Sequence, residues 1–108
     1  RYSQEEQDRL DRWAQDQELA AEQAIKETKA QIRALERQAR QAATIEEKHA
    51  LEEKVAQLED KKRRQRRDLF DVEDAIQAKR RQLIDALQRR MEQKATREEL
   101  FRVRWHIA

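Results

Sequence analysis

Glu46 and His49 stand three residues apart, which on a helix puts a carboxylate and an imidazole on one face, like half of a carboxylate-rich metal site. A complete site needs a second pair of that kind. The only other histidine, His106, has no acidic residue three positions before it. The pair therefore reads as two solvated side chains near a helix end. Many further carboxylates could in principle move protons, but acid–base catalysis needs a pocket to hold a substrate against them. The absence of cysteine removes thiolate metal sites and disulfides. The absence of glycine removes any Gly-x-x-x-x-Gly-Lys-Ser/Thr loop able to cradle phosphates. No residue is assigned to catalysis, to a cofactor or to a metal, and no enzyme activity is expected of this stretch of chain.

The remaining chemistry is electrostatic. KKRRQRR, residues 61–67, has six cations in seven positions. Lys61, Arg63, Arg64, Arg66 and Arg67 are candidates for contact with a DNA or RNA backbone, where cations displace counterions from phosphates. The competing reading is a solvated helix face whose cations are already paired. Glu59 with Arg63, Asp60 with Arg64, Arg64 with Asp68, and Arg67 with Asp71 all have i, i+4 spacing. Charge is also divided along the chain. Residues 1–60 hold 10 basic and 15 acidic side chains, and residues 61–108 hold 15 basic and 8 acidic. Such halves attract one another, or the second half meets an anion.

These residues need an architecture to hold them. With 108 residues, no Gly, no Pro, 44% charged and 37% apolar residues, the chain lacks the turn formers and the apolar mass of a thick globular core. The composition is that of long helices and coiled coils. No apolar run approaches the roughly 18 residues that a membrane-spanning helix requires, and no signal peptide is visible. No membrane partner is expected, and a cytoplasmic location is. The chain starts at Arg1 rather than Met, so a piece of a longer protein is expected.

Apolar periodicity defines two helices. Leu51, Val55, Leu58, Lys62, Gln65, Leu69, Val72, Ile76, Lys79, Leu83 and Ala86 alternate spacings of four and three, a heptad seam with three polar interruptions. Ile25, Thr28, Ile32, Leu35, Ala39 and Ala42 form a second seam. Before it the frame slips by one residue, to Leu10, Trp13, Gln17, Ala20 and Ala24, as in a coiled-coil stutter. Folded back near residue 43, the seams align with Leu35 opposite Leu51, Ile32 opposite Val55, Thr28 opposite Leu58, Ile25 opposite Lys62 and Leu10 opposite Ile76. That register sets Ala20, Ala21 and Ala24 against Lys62 and Gln65, and Glu18, Glu22 and Glu27 near the basic run. Trp13 packs on the shifted seam near Val72 and Asp74, and Phe70 flanks Leu69.

Thr44 and Glu47 have capping-box spacing, which starts a second helix at Ile45 without Gly or Pro. One unbroken helix is the alternative, because Ala42 and Ala43 are strong helix formers. The expected fold is all-α, a long antiparallel two-helix coiled-coil hairpin over residues 1–94. Its parts are a helix over about 3–42, a turn at 43–44, a helix over about 45–93, and a C-terminal tail, 95–108. In the tail, Thr96 and Glu99 repeat the capping-box spacing and argue for a short helix. Yet Phe101, Val103, Trp105 and Ile107 alternate with Arg102, Arg104 and His106, the period of a half-buried strand. An extended tail is the preferred reading, and it needs another surface to satisfy its backbone. Those four apolar residues are the candidates for self-association, giving a homodimer through the tail or the overhanging helix end.

Several strings carry a resemblance. LDRWAQD (10–16), TIEEK (44–48), RRDLFD (66–71) and LFRVRW (100–105), in this order, resemble the C-terminal region of bacterial SNF2-type helicase-like proteins, which are DEAD/DEAH-superfamily ATPases. Ile45 stands where that pattern usually has Leu. The resemblance implies a parent protein that uses ATP and Mg to act on nucleic acid, with this stretch as a non-catalytic accessory arm for spacing, self-association or partner docking. The motor motifs lie outside these residues, so no catalytic residue is carried over. The alternatives are a nonspecific nucleic-acid-binding arm of the same helicase and an unrelated self-associating coiled coil.

Overall fold

The computed structural model describes the backbone of residues 2–107 and, within it, the side chains of residues 3–104. Two helices account for nearly all of it: α1, Tyr2–Arg40, and α2, Ile45–Ile107. They fold back on one another as an antiparallel hairpin with overall extents of 96 × 19 × 9 Å. At about 1.5 Å per residue, the 63 residues of α2 account for that long axis by themselves.

The turn works without glycine. At the end of α1, the Gln41 amide donates to the Gln38 carbonyl at 3.1 Å and the Ala42 amide to the Ala39 carbonyl at 3.3 Å. These i→i−3 bonds tighten the last turn and satisfy carbonyls that a left-handed residue would otherwise serve. No described residue has positive φ. Thr44 then caps α2: its Oγ1 accepts from the Glu47 amide at 3.1 Å. Glu47 reaches back as the sequence suggested, but its Oε2 accepts from the Ala43 amide, at 3.2 Å, rather than from that of Thr44. Lys48 N–H to Thr44 carbonyl, 3.1 Å, is the first bond of the new helix. Glu46 and Glu47 sit in its first turn, where the positive end of the helix dipole favours them.

The seam of α2 matches its heptad pattern. Of the eleven seam positions only Lys79 is exposed; Ile76 is buried and the others are half-buried. On α1 the core is Ala14, Ile25, Thr28, Ile32 and Ala39. Thr28 is tolerated there because its hydroxyl donates to the Ala24 carbonyl at 3.1 Å. The frame slip lies elsewhere than expected. Leu10, Trp13 and Ala24 are covered as expected, but Gln17 and Ala20 are exposed and Ala14, Glu18 and Ala21 are covered instead. The stripe drifts between Leu10 and Glu18, and adjacent alanines at 20 and 21 gave no size difference by which to place it.

The register differs too. Asp11, expected beside residues 75 and 76, meets Arg80, with 3.7 Å between Oδ1 and Nη2. Trp13 is half-buried under Lys79, whose Nζ lies 4.8 Å from the ring centroid, and not beside Val72 and Asp74. Glu6, expected beside residues 80 and 81, takes a two-pronged hydrogen bond from Arg90 at 3.0 and 3.1 Å. The helices are thus displaced by about one heptad from the pairing inferred from the seams. A seven-residue shift again brings seam opposite seam, so apolar spacing cannot distinguish the two registers. The first six residues of α2 are all exposed, and its half-buried positions begin only at Leu51.

The tail is helical. α2 continues through Ile107, so neither the extended tail nor a separate third helix forms. Thr96 does not cap: its Oγ1 donates to the Glu92 carbonyl at 3.0 Å, a bond made inside a helix. A strand needs a partner edge, whereas a helix satisfies its own backbone.

Candidate functional site

A groove of ≈ 570 Å³ runs between the helices near their middle. Ile25 and Leu69, both seam residues, lie at its base. Around it stand Lys26, Lys29 and Arg33 from α1 and Arg66 and Phe70 from α2, with Glu22 the single carboxylate. Lys26, Lys29 and Arg33 share a helix face because three- and four-residue steps nearly complete whole turns. Phe70 lies one turn beyond Arg66 on α2, and it is 66% exposed. Farther toward the turn, a neighbouring depression adds Lys62 and Glu59 beside Ile32 and Glu36.

The basic run is distributed around α2. Of Lys61, Arg63, Arg64, Arg66 and Arg67, only Arg66 lines the groove. At 100° per residue, seven consecutive positions cannot share a face. The pairing is also unlike that inferred from sequence. Arg63 pairs with Asp60 and Lys62 with Glu59, both at i, i+3. None of the four i, i+4 pairs is among the ion pairs formed by the described residues. The Lys62 ammonium, bonded at 2.9 Å, holds the Glu59 carboxyl below its usual range, with Lys62, Arg63 and Arg66 charges acting in the same direction and desolvation opposing them.

Lys26, Lys29 and Arg33 were not singled out in the sequence. The heptad shift explains why they matter. The inferred register set Glu18, Glu22 and Glu27 against the basic run. The observed one brings Lys29 and Arg33 alongside Arg66 and leaves Glu22 at the rim. Their i, i+3, i+7 spacing beside Ile25 and Ile32 was visible, but it gained meaning only with the correct register.

The two charge classes do attract where α1 begins, through Glu6–Arg90 and Asp11–Arg80. Beyond that, α2 is bare: every described side chain from Met91 to Arg104 is exposed. Leu100, Phe101 and Val103 are 56%, 69% and 53% exposed. Of the four self-association candidates, Phe101 and Val103 fall in this overhang, while the side chains of Trp105 and Ile107 lie outside the described residues. Glu46 and His49 are exposed near the turn, and among the described residues no three His, Cys, Asp or Glu side chains converge as metal ligands. No described helix is long and apolar enough to cross a membrane.

Fold and surface together define an antiparallel coiled-coil hairpin with one long free helix end. No protein-family model, curated protein or solved structure matches the chain.

Proposed function

We propose that this chain is a non-catalytic coiled-coil arm of a larger protein, which sets a distance and docks its free helix end on another surface. One observation carries the reading: α2 runs on past Leu87, the last half-buried residue among its described side chains, and exposes Leu100, Phe101 and Val103 where α1 no longer covers it. A helix that bares large apolar side chains is a binding element. Paired helices resist bending, so such an arm transmits position.

The larger protein, on this proposal, is a SNF2-type ATP-dependent helicase acting on DNA or RNA. That part rests on the sequence landmarks around Trp13, Leu69-Phe70-Asp71 and Leu100–Trp105. ATP and Mg would belong to the motor, since a glycine-free chain offers their phosphates no loop. The test is to purify the longest natural chain that contains this hairpin and measure ATP hydrolysis with and without nucleic acid. Nucleic-acid-stimulated hydrolysis by that chain, with none from the isolated hairpin, is expected. A longest natural chain with no ATPase would leave the coiled-coil arm standing and remove the helicase.

A further inference from the structure

We propose that the groove between α1 and α2 binds single-stranded nucleic acid, with Lys26, Lys29, Arg33 and Arg66 on its phosphates and Phe70 stacked against a base. The proposal stands on the groove alone and holds with or without a motor attached.

Three observations support it. First, the cations converge from two helices around one carboxylate, Glu22. A cleft in which one sign of charge predominates over an apolar base focuses its field on an anion, although Glu36 and Glu59 flank Lys29 and Arg33 on the side toward the turn. Second, these cations are not held in ion pairs with described residues, whereas Lys62 and Arg63 next along α2 are paired. Binding a phosphate therefore breaks no ion pair, and only Arg66, whose charge acts on the Glu59 carboxyl, has an internal attraction to share. Third, Phe70 is 66% exposed although Leu69 beside it takes the seam position. An aromatic face next to cations is the combination with which proteins hold unpaired bases without regard to sequence.

Scale and geometry favour a single strand. Lys26 to Arg33 spans about 10 Å of helix axis, the length of a few successive phosphates. A duplex keeps its bases stacked and would use the cations only. An acidic peptide offers carboxylates but no flat ring for Phe70. Glu22 opposes either anion, so its removal becomes a diagnostic.

The experiment uses the whole 108-residue chain and fluorescence anisotropy with a labelled oligothymidylate of about 20 nucleotides. A duplex of equal length and polyglutamate serve as competitors. Micromolar binding at low salt is expected, with a log–log salt slope of roughly −2 to −3 for three to four neutralised phosphates. Changing Lys26, Lys29 and Arg33 together to Gln should weaken binding by about tenfold or more. The same charge loss away from the groove, Arg9, Arg12 and Arg37 to Gln, should change it far less. Phe70→Ala should weaken the single strand by about five- to a hundredfold and leave duplex binding unchanged. Glu22→Gln should tighten binding by about two- to fivefold. All substituted side chains except the half-buried Lys29 are exposed, and circular dichroism verifies that helicity is kept. Equal weakening by the two triple variants, an unaffected Phe70→Ala, or competition by duplex or polyglutamate as strong as by single strand would each overturn the proposal.

Discussion

Gln65 shows how one side chain in the seam carries opposing demands. It holds a heptad position that neighbours fill with leucine and valine, and its Oε1 is buried without a hydrogen-bond partner among the described residues. An unpaired buried acceptor costs about 1–3 kcal/mol. Polar seam residues do contribute something else, since they penalise registers that bury them against bulk. Gln65→Leu should therefore raise stability by about 1–2 kcal/mol, seen in urea unfolding as a higher midpoint with an unchanged slope. A variant no more stable than the parent would mean that the amide is satisfied in solution. Lys79 resolves the same conflict differently. It leaves the seam for the rim and rests its ammonium on Trp13, a contact worth about 0.5–1 kcal/mol at an exposed site.

At the scale of the helices, the sequence was legible where a residue's own neighbours decide its state. Thr44 and Glu47 marked the start of α2, and ten of eleven seam positions on α2 are covered, so heptad spacing located the buried stripe. It failed where the decision lies between elements. The seam pattern is invariant to a heptad shift, and the observed register is marked by the charge pairs it forms, Asp11 with Arg80 and Glu6 with Arg90. The groove followed the register, which is why Arg66 was the only groove cation that the basic run revealed. The tail failed for another reason. Alternation at residues 101–107 describes a strand only where a partner strand exists. The register can be tested by double-mutant cycles in thermal or urea unfolding. Glu6 and Arg90 should couple by about 0.2–1 kcal/mol, and Glu6 and Arg80 by nothing measurable. The opposite result, coupling of Glu6 to Arg80 alone, would restore the register inferred from the seams.

For the molecule as a whole, the unequal helix lengths decide its behaviour. α1 has 39 residues and α2 has 63, so the rod has a paired body and a single-helix end. On a helix these apolar groups gather on one side: at about 100° per residue, Leu100, Phe101 and Val103 fall within an arc of about 160°. Glu98, Glu99 and Arg102 lie on the opposite side, so the free end is amphipathic, and helices of that kind bury their apolar stripe against another surface. A second copy can supply the cover, because two free ends placed side by side shield the same side chains from water in both chains. Light scattering on the 108-residue chain should therefore report a mass above that of one 13.1 kDa monomer, rising with concentration. Removal of residues 100–108 should return it to one monomer while circular dichroism of the paired body persists, since every covered seam position lies before residue 88. Changing Leu100, Phe101 and Val103 to Gln should do the same without shortening the helix. If the mass is unchanged by both alterations, the free end does not join copies of this chain, and its apolar side chains must be covered by a different surface.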